Sequence, residues 1–237
     1  MPYQTTIGRL TSVEFFAAMP AGLFVFLVSY VYLSNGAVME SSPSLWGSLL
    51  QLSDTLKTSP PMILFMFFGA YLFGSIIRSV PVHWAESITR VGRSRFPYAD
   101  VLRARLEQIE QESGPTGLNL NRLVGNKDLS TAIFNYWKDF LCVRSSEAFA
   151  YYQTFEARSR FFTGMFWAGA VGVVGGGAML SQSYLSGRSY ILAAQLLVLS
   201  VSLIVAFGLQ LRRVREQEAQ VLLTLYVAVA HQREFQG

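Results

Sequence analysis

The chain has 237 residues, of which 51% are hydrophobic and 14% are charged, and its formal net charge is +4. Soluble domains carry about a quarter charged residues, so the composition argues against an ordinary soluble protein. The single cysteine, Cys142, excludes an intramolecular disulfide and a cysteine-based zinc site, and two histidines are too few for a histidine-rich metal site.

The first apolar block predicts a transmembrane helix from about Val13 to Leu33. A span needs about 20 apolar residues, and this block is longer than the apolar region of a cleaved signal peptide, so we expect it to be retained. In the following loop, Ser42 and Pro43 are typical of a helix start. Four leucines at helical spacing then predict a short amphipathic helix at the membrane interface, namely Leu45, Leu49, Leu52 and Leu56.

Three further apolar blocks predict the remaining spans. They run from about Pro60 to Ile77, from Phe161 to Leu180 and from Tyr190 to Leu211. The segment from Ser181 to Ser189 is short enough only for a turn. The expected fold is an all-α integral membrane protein with four transmembrane helices and a helical cytoplasmic domain inserted between the second and third.

The positions of Lys and Arg predict the orientation of these spans. Seventeen of the 19 lie in the N-terminal arm, in residues 78–160 or in the C-terminal tail, and only Lys57 and Arg188 lie on the other side. By the positive-inside rule, both termini and the central domain face the cytoplasm. The short loops and compact size favour a bacterial inner membrane.

Four domains follow from these boundaries. Residues 1–80 form the first transmembrane hairpin with its amphipathic extracytoplasmic helix, and 81–160 form the cytoplasmic helical domain. Residues 161–211 form the second transmembrane hairpin, and 212–237 form a cytoplasmic C-terminal helix.

The cytoplasmic residues carry several helix signals. Asp100 predicts the cap of one helix, and Asp128 or Ser130 that of another. A third helix is expected to start near Ser145 and to run into the third span, because no glycine or proline interrupts it. The apolar stretch Val221–Ala230 is too short to cross a membrane, so it is expected to pack against the cytoplasmic domain or a neighbouring subunit.

Small residues recur along two of the predicted spans. They are Gly164, Ala168, Gly172 and Gly176 in the third span, and Ala70 and Gly74 in the second. In lipid, hydrophobic burial does not drive helices together, so close backbone approach through small residues does. These residues are expected to mediate helix packing within one subunit, assembly between subunits, or both.

Two further groups are candidate contact residues. Arginines near the second span are expected to contact anionic lipid or a phosphate-bearing ligand, and they are Arg90, Arg93, Arg95, Arg103 and Arg105. Because positive-inside topology already explains these arginines, nucleic acid is disfavoured as a partner. Polar residues of the fourth span either line a narrow path or hydrogen-bond a neighbouring helix, and they are Gln195, Ser202 and Gln210. Cys142, beside Phe140 and Leu141, is expected to be a small buried hydrophobe.

Motifs of common enzyme classes are missing from the sequence. It has no Walker loop, no Gly-x-Ser-x-Gly, no His-Glu-x-x-His and no dinucleotide fingerprint. We therefore expect no enzyme activity, no cofactor and no metal. The alternative of an enzyme acting on lipid or nucleotide would have to draw on scattered candidates, namely His83, Glu86, Asp100, Asp139 and His231.

The favoured function is that of a non-enzymatic oligomeric membrane protein, a pore-forming or membrane-disrupting effector controlled through its cytoplasmic domain. The controlling partner would be a cytoplasmic protein or a nucleotide ligand. The architecture resembles that of the small four-span effectors of bacterial antiviral systems, which implies a role in defence at the inner membrane. The alternative is a membrane-anchored regulatory or scaffold subunit without a pore.

Overall fold

The computed structural model of the protein describes residues 3–38, 44–80, 84–85, 88, 99–113, 127–186 and 189–231. Within these ranges the regular structure is entirely α-helical, which confirms that part of the predicted fold. Seven helices have defined bounds, namely α1 (Tyr3–Val38), α2 (Leu45–Thr58), α3 (Pro60–Ser79), α4 (Ala99–Ser113), α5 (Lys127–Arg144), α6 (Ser146–Ser186) and α7 (Ile191–His231).

The chain divides into two compact units. Unit 1 comprises Met1–Thr89 and Arg160–Leu211, and unit 2 comprises Arg90–Ser159 and Arg212–Gly237. Helices α1, α2 and α3 belong to unit 1, and α4 and α5 belong to unit 2. Each unit also contains one part of α6 and one part of α7.

Helices α6 and α7 are longer than the spans predicted within them. α6 begins beside Ser145, whose Oγ accepts the Ala148 N–H at 3.2 Å, as the sequence predicts. It continues to Ser186, so residues 181–186 of the predicted turn are helical, and they contain no glycine or proline that would end the helix. α7 joins the predicted fourth span and C-terminal helix into one helix of 41 residues, since residues 212–231 also lack a helix breaker.

The core of unit 1 is built from apolar residues of α1, α3, α6 and α7. One buried cluster contains Val28, Val31, Met179, Leu192, Ala193 and Leu196, and a second contains Ala21, Val25, Ile77, Met165 and Ala168. Between α6 and α7, the Phe207 ring lies 5.9 Å from the Phe161 ring and 5.7 Å from the Phe162 ring. These clusters pack α1, α6 and α7 along much of their length.

The outward faces of the same helices are also apolar. α3 exposes nine large apolar or aromatic side chains, namely Ile63, Leu64, Phe65, Phe67, Phe68, Tyr71, Leu72, Phe73 and Ile76. α7 exposes six within unit 1, namely Ile191, Val198, Leu199, Val201, Val205 and Leu209. Clustered exposed apolar side chains of this kind are typical of a surface that meets a membrane or another protein.

Two helices of the described residues have the length and composition of membrane spans. They are α6 and α7, and only 28% of the most apolar window of α7 is buried, whereas the core helix of a soluble protein is mostly buried. α1 and α3 contain shorter apolar stretches, Ala17–Leu33 and Ile63–Ile77.

Unit 2 has its own apolar core. α4 contributes Leu102, Leu106 and Ile109, and α5, α6 and α7 contribute Trp137, Leu141, Tyr152, Ala219, Leu222, Leu223 and Val227. The Tyr226 ring stacks on that of Trp137, with 5.4 Å between centroids. The apolar stretch Val221–Ala230 therefore packs within the unit that contains α4 and α5, the first of its two expected placements.

Predictions of helix caps and of one buried residue are wrong. Asp100 lies inside α4, and both Asp128 and Ser130 lie inside α5, rather than at the N-caps of these helices. The N-cap of α2 is Ser44, whose Oγ accepts the Gly47 N–H at 3.2 Å, rather than Ser42, which lies outside the described residues. Cys142 is exposed rather than buried. Leu141 and Trp137 occupy the buried face of α5, and the next residue of a helix points about 100° away from that face.

Candidate functional sites in the helix contacts and in a buried polar network

The glycines of α1 and α3 allow these two helices to meet backbone to backbone. A Cβ atom added to Gly22 would overlap the carbonyl oxygen of Ala70, and one added to Gly74 would overlap that of Ala18. Ala70 is fully buried. The predicted pair Ala70 and Gly74 therefore faces α1 of the same chain.

Three glycines of α6 face α7. A Cβ at Gly169 would lie 2.9 Å from Ile204 Cγ1, and one at Gly176 would lie 2.9 Å from Leu197 Cγ. A Cβ at Gly172 would overlap Ser200 Oγ. These distances are shorter than van der Waals contact, so a Cβ at any of the three would require the facing side chains of α7, or the helix itself, to shift.

Two of the other small residues of α6 lie near α1, whereas one glycine has no neighbouring helix where its side chain would lie. Ala168 is fully buried in the cluster with Ala21 and Val25, and a Cβ at Gly164 would lie 3.5 Å from Ala21 Cβ, an ordinary contact. Gly177, by contrast, has no heavy atom within 4 Å of a Cβ placed there. The predicted small residues of α6 thus face other helices of the chain, and Gly177 faces away from them.

The polar residues of the fourth predicted span lie on the exposed face of α7. Gln195 Oε1 accepts the backbone N–H of Leu45 in α2 at 2.8 Å. Ser202 Oγ donates to the Val198 carbonyl oxygen at 2.8 Å within its own helix, and Gln210 is exposed. They share one face of α7 with exposed apolar residues.

The predicted anionic contact residues are only partly described. Arg105 donates from Nε to Thr224 Oγ1 at 3.1 Å and from a guanidinium nitrogen to Gln108 Oε1 at 2.6 Å. Arg103 is exposed on α4. The other three lie outside the described residues, namely Arg90, Arg93 and Arg95. Arg105 thus joins α4 to α7 inside unit 2.

Glu218 is a buried carboxylate in unit 2. Its side chain is 3% exposed, its Oε1 accepts the Tyr152 hydroxyl at 2.9 Å, and its Oε2 accepts a guanidinium N–H of Arg215 at 2.6 Å. Burying a charge is costly unless it is paired and hydrogen-bonded. Both oxygens of Glu218 are occupied, so α6 and α7 are joined here by a fully satisfied polar contact.

A second ion pair lies beside this carboxylate. Lys138 Nζ on α5 donates to Glu156 Oε1 on α6 at 2.9 Å and lies 5.5 Å from the centroid of the Tyr152 ring. Burial, and after it the nearby carboxylates of Glu218 and Glu156, raises the pKa of the Tyr152 phenol above its ordinary value. The phenol therefore stays protonated and keeps donating to Glu218.

The polar network is suited to holding helices in register. Its members are Lys138, Tyr152, Glu156, Arg215 and Glu218, from α5, α6 and α7. A carboxylate that acts as a general base must reach the proton that it abstracts. Both oxygens of Glu218 already accept hydrogen bonds, one from Tyr152 and one from Arg215. The arrangement offers packing specificity and no evident reacting group.

Sequence reasoning missed Glu218 as a buried partner. The residue lies on the same helical face as Leu211, Val214 and Leu222, all of which are buried. A carboxylate inside such an apolar stripe indicates a buried ion pair, and Arg215, three residues before it, indicates its cation. That periodicity is visible in the sequence, whereas Tyr152, 66 positions away, is not identifiable from it.

An open apolar groove of about 550 Å³ lies at the end of α6 in unit 1. It is lined by Leu180, Ser181, Tyr184, Leu185 and Tyr190. Across the described part of the chain, no three His, Cys, Asp or Glu side chains are grouped so that they could hold a metal ion. Comparisons of the chain with protein-family models, with curated proteins and with solved structures found no match.

Proposed function

We propose that this chain is a non-enzymatic integral membrane protein in which α1, α3 and the apolar parts of α6 and α7 cross the bilayer. In this proposal the chain assembles into an oligomer that opens a pore or disturbs the membrane, and a protein or nucleotide that binds unit 2 in the cytoplasm controls it. A role in bacterial antiviral defence would fit this plan.

The observation that carries the proposal is the exposed apolar surface of α3. Leu64, Phe65, Phe68 and Ile76 are each more than 60% exposed. A side chain of this size gains about 1.5–3 kcal/mol on full burial away from water, so nine such side chains together need an apolar medium. The α3 helix has 20 residues, and the stretch Ile63–Ile77 forms its apolar part.

Charge supports the proposed orientation. No Asp, Glu, Lys or Arg occurs in residues 60–77, 161–187 or 189–211, whereas residues 212–215 contain three arginines. Arginines at the end of a span favour the cytoplasmic side, and this supports the proposal that unit 2 and both termini lie there. The proposed compartment is a bacterial inner membrane.

Assembly would use the outward face of α6. Gly177 has open space where a side chain would lie, and Val174 is 74% exposed one turn before it. Small residues permit close approach of a second helix in lipid. An interface here would leave the contacts of Gly169, Gly172 and Gly176 with α7 unchanged.

The test is the mass of the protein in mild detergent, measured by light scattering for wild type, Gly177→Leu and Val174→Ala. We expect a defined oligomer that dissociates in Gly177→Leu and persists in Val174→Ala. Because a Cβ at Gly177 would meet no heavy atom within 4 Å, a loss of mass would report a lost interface and not a misfolded subunit. A monomer in all three proteins would contradict an oligomeric pore or effector.

A membrane-anchored scaffold without a pore is the second candidate. At Gly22, Gly69, Gly74 and every described glycine of α6 except Gly177, an added Cβ would lie within 4 Å of an atom of another helix of the same chain. That observation favours a self-contained bundle. A monomeric mass together with retention in membranes would support the scaffold.

A further inference from the structure

Helix α2 is tied to α7 through its first residue. The backbone N–H of Leu45 donates to Gln195 Oε1 at 2.8 Å, across 150 positions of the sequence. The first four N–H groups of a helix have no acceptor in their own helix. Ser44 Oγ accepts the Gly47 N–H, and Gln195 accepts that of Leu45. A side chain of α7 thus completes the N-terminal cap of α2.

Packing holds the same end of α2. The Leu45 side chain lies against the buried cluster that includes Val28, Met179 and Leu196. Leu49, Leu52 and Leu56 follow on the same face and are half-buried. Gln195 is four residues past the start of α7, or about 6 Å along its axis at 1.5 Å per residue. The first residue of α2 therefore lies beside α7 about one helical turn after the first residue of α7.

The face of α2 that lies opposite its four leucines is apolar at one end and charged at the other. Trp46 and Leu50 are 69% and 51% exposed. Asp54 and Lys57 follow on the same face, are more than 70% exposed, and form an ion pair at 2.9 Å. The exposed face is thus apolar near the tethered end and charged near the end that leads to α3.

The tethered end lies among groups that suit the membrane interface. Around Gln195, α7 exposes Ile191, Val198 and Leu199. Tyr184 and Tyr190, at the adjoining ends of α6 and α7, are 87% and 66% exposed. Tyr and Trp are enriched where the hydrocarbon meets the head groups. Trp46 directly follows Leu45, whose N–H is bound by Gln195 on the exposed face of α7.

We propose that α2 is an obliquely inserted interfacial helix whose binding partner is the extracytoplasmic leaflet of the bilayer. Trp46 and Leu50 contact lipid, Asp54 and Lys57 remain in water, and Gln195 holds the helix N-terminus at its depth. This inference rests on the proposed membrane insertion of unit 1 and assigns Gln195 to a tether instead of a polar path.

The test is the depth of single spin labels in the full-length protein, reconstituted in phosphatidylcholine vesicles containing phosphatidylglycerol. Cys142→Ser provides the background, and labels are attached at Trp46→Cys, Leu50→Cys, Asp54→Cys and Lys57→Cys. Collision with oxygen reports lipid, and collision with a water-soluble nickel chelate reports water. We expect the oxygen-to-nickel ratio to be several-fold higher at positions 46 and 50 than at 54 and 57.

A label at Leu64→Cys, on the exposed face of α3, distinguishes a failure of the inference on α2 from a failure of the proposed membrane insertion. If position 64 lies in lipid while all four α2 positions lie in water, the inference on α2 is wrong and membrane insertion stands. If all four α2 positions lie in lipid, the oblique orientation is wrong. If position 64 itself lies in water, the proposed membrane insertion is wrong.

A second arm tests the tether. Gln195→Leu removes the acceptor for the Leu45 N–H while keeping an apolar side chain of similar size, and Ser202→Ala alters the same face of α7 without contacting α2. We expect the label at position 46 to lose its high oxygen-to-nickel ratio in Gln195→Leu and to keep it in Ser202→Ala. An unchanged ratio in both would overturn the role of Gln195.

Discussion

Replacing Glu218 with alanine is expected to lower the free energy of unfolding by about 3 kcal/mol. Breaking a buried ion pair by removing one partner costs about 3–5 kcal/mol, and the lower end applies because Arg215 is 23% exposed and reaches water. The Tyr152 hydroxyl also loses its acceptor inside the core of unit 2. Thermal or chemical unfolding of the full-length protein in detergent, followed by helical circular dichroism, measures the loss.

Glu216→Ala is the matched control for this substitution. Glu216 lies two residues earlier on α7 and pairs with Arg212 at 3.0 Å, but these side chains are 28% and 46% exposed. A surface pair of this kind contributes less than about 1 kcal/mol. Equal destabilisation by the two substitutions would show that Glu218 is not a buried partner of Tyr152 and Arg215.

Replacing Gly74 with alanine is expected to destabilise unit 1 by about 3 kcal/mol or more. The new Cβ would overlap the carbonyl oxygen of Ala18, so the backbones of α1 and α3 must separate. Overpacking a core typically costs about 1–3 kcal/mol, and a clash with backbone belongs at the upper end because no side chain can rotate away. The melting temperature in detergent is the measurement.

The same substitution at Gly164 provides the control. Gly164→Ala places its Cβ 3.5 Å from Ala21 Cβ, an ordinary contact. Alanine is the better helix former by about 1 kcal/mol, so this variant should melt at or slightly above the wild-type temperature. If Gly74→Ala melts with it, α1 and α3 do not approach as closely as described.

Local patterns in the sequence predict where helices lie along the chain better than they predict which helices pack against each other. The absence of glycine and proline between Ser145 and the third apolar block predicted a continuous helix, and α6 begins at Ser146. The same reasoning, applied to residues 181–186, would have extended that helix to its observed end. The N-cap of α2 was misplaced because Ser42 and Ser44 both lie near its start, and the hydrogen bond to the Gly47 N–H decides between them.

Contacts between distant segments were not predictable in the same way. A ridge of glycines permits close approach but does not identify the helix that approaches, so Gly172 facing Ser200 required the structure. Gln195 was singled out as a polar residue in an apolar helix, yet its partner is a backbone N–H 150 positions away. Pairings of this kind depend on the register between helices, for which a single sequence carries no local signal.

Insertion of unit 1 into a bilayer is tested most directly by alkaline extraction of membranes from cells that express the full-length protein. Carbonate at high pH strips peripheral proteins and leaves integral ones in the pelleted bilayer. We expect the chain to remain wholly in the pellet and to be released only by detergent, because the exposed faces of α3 and α7 are apolar. Recovery of the folded chain in the alkaline supernatant would contradict membrane insertion, and with it the proposed function.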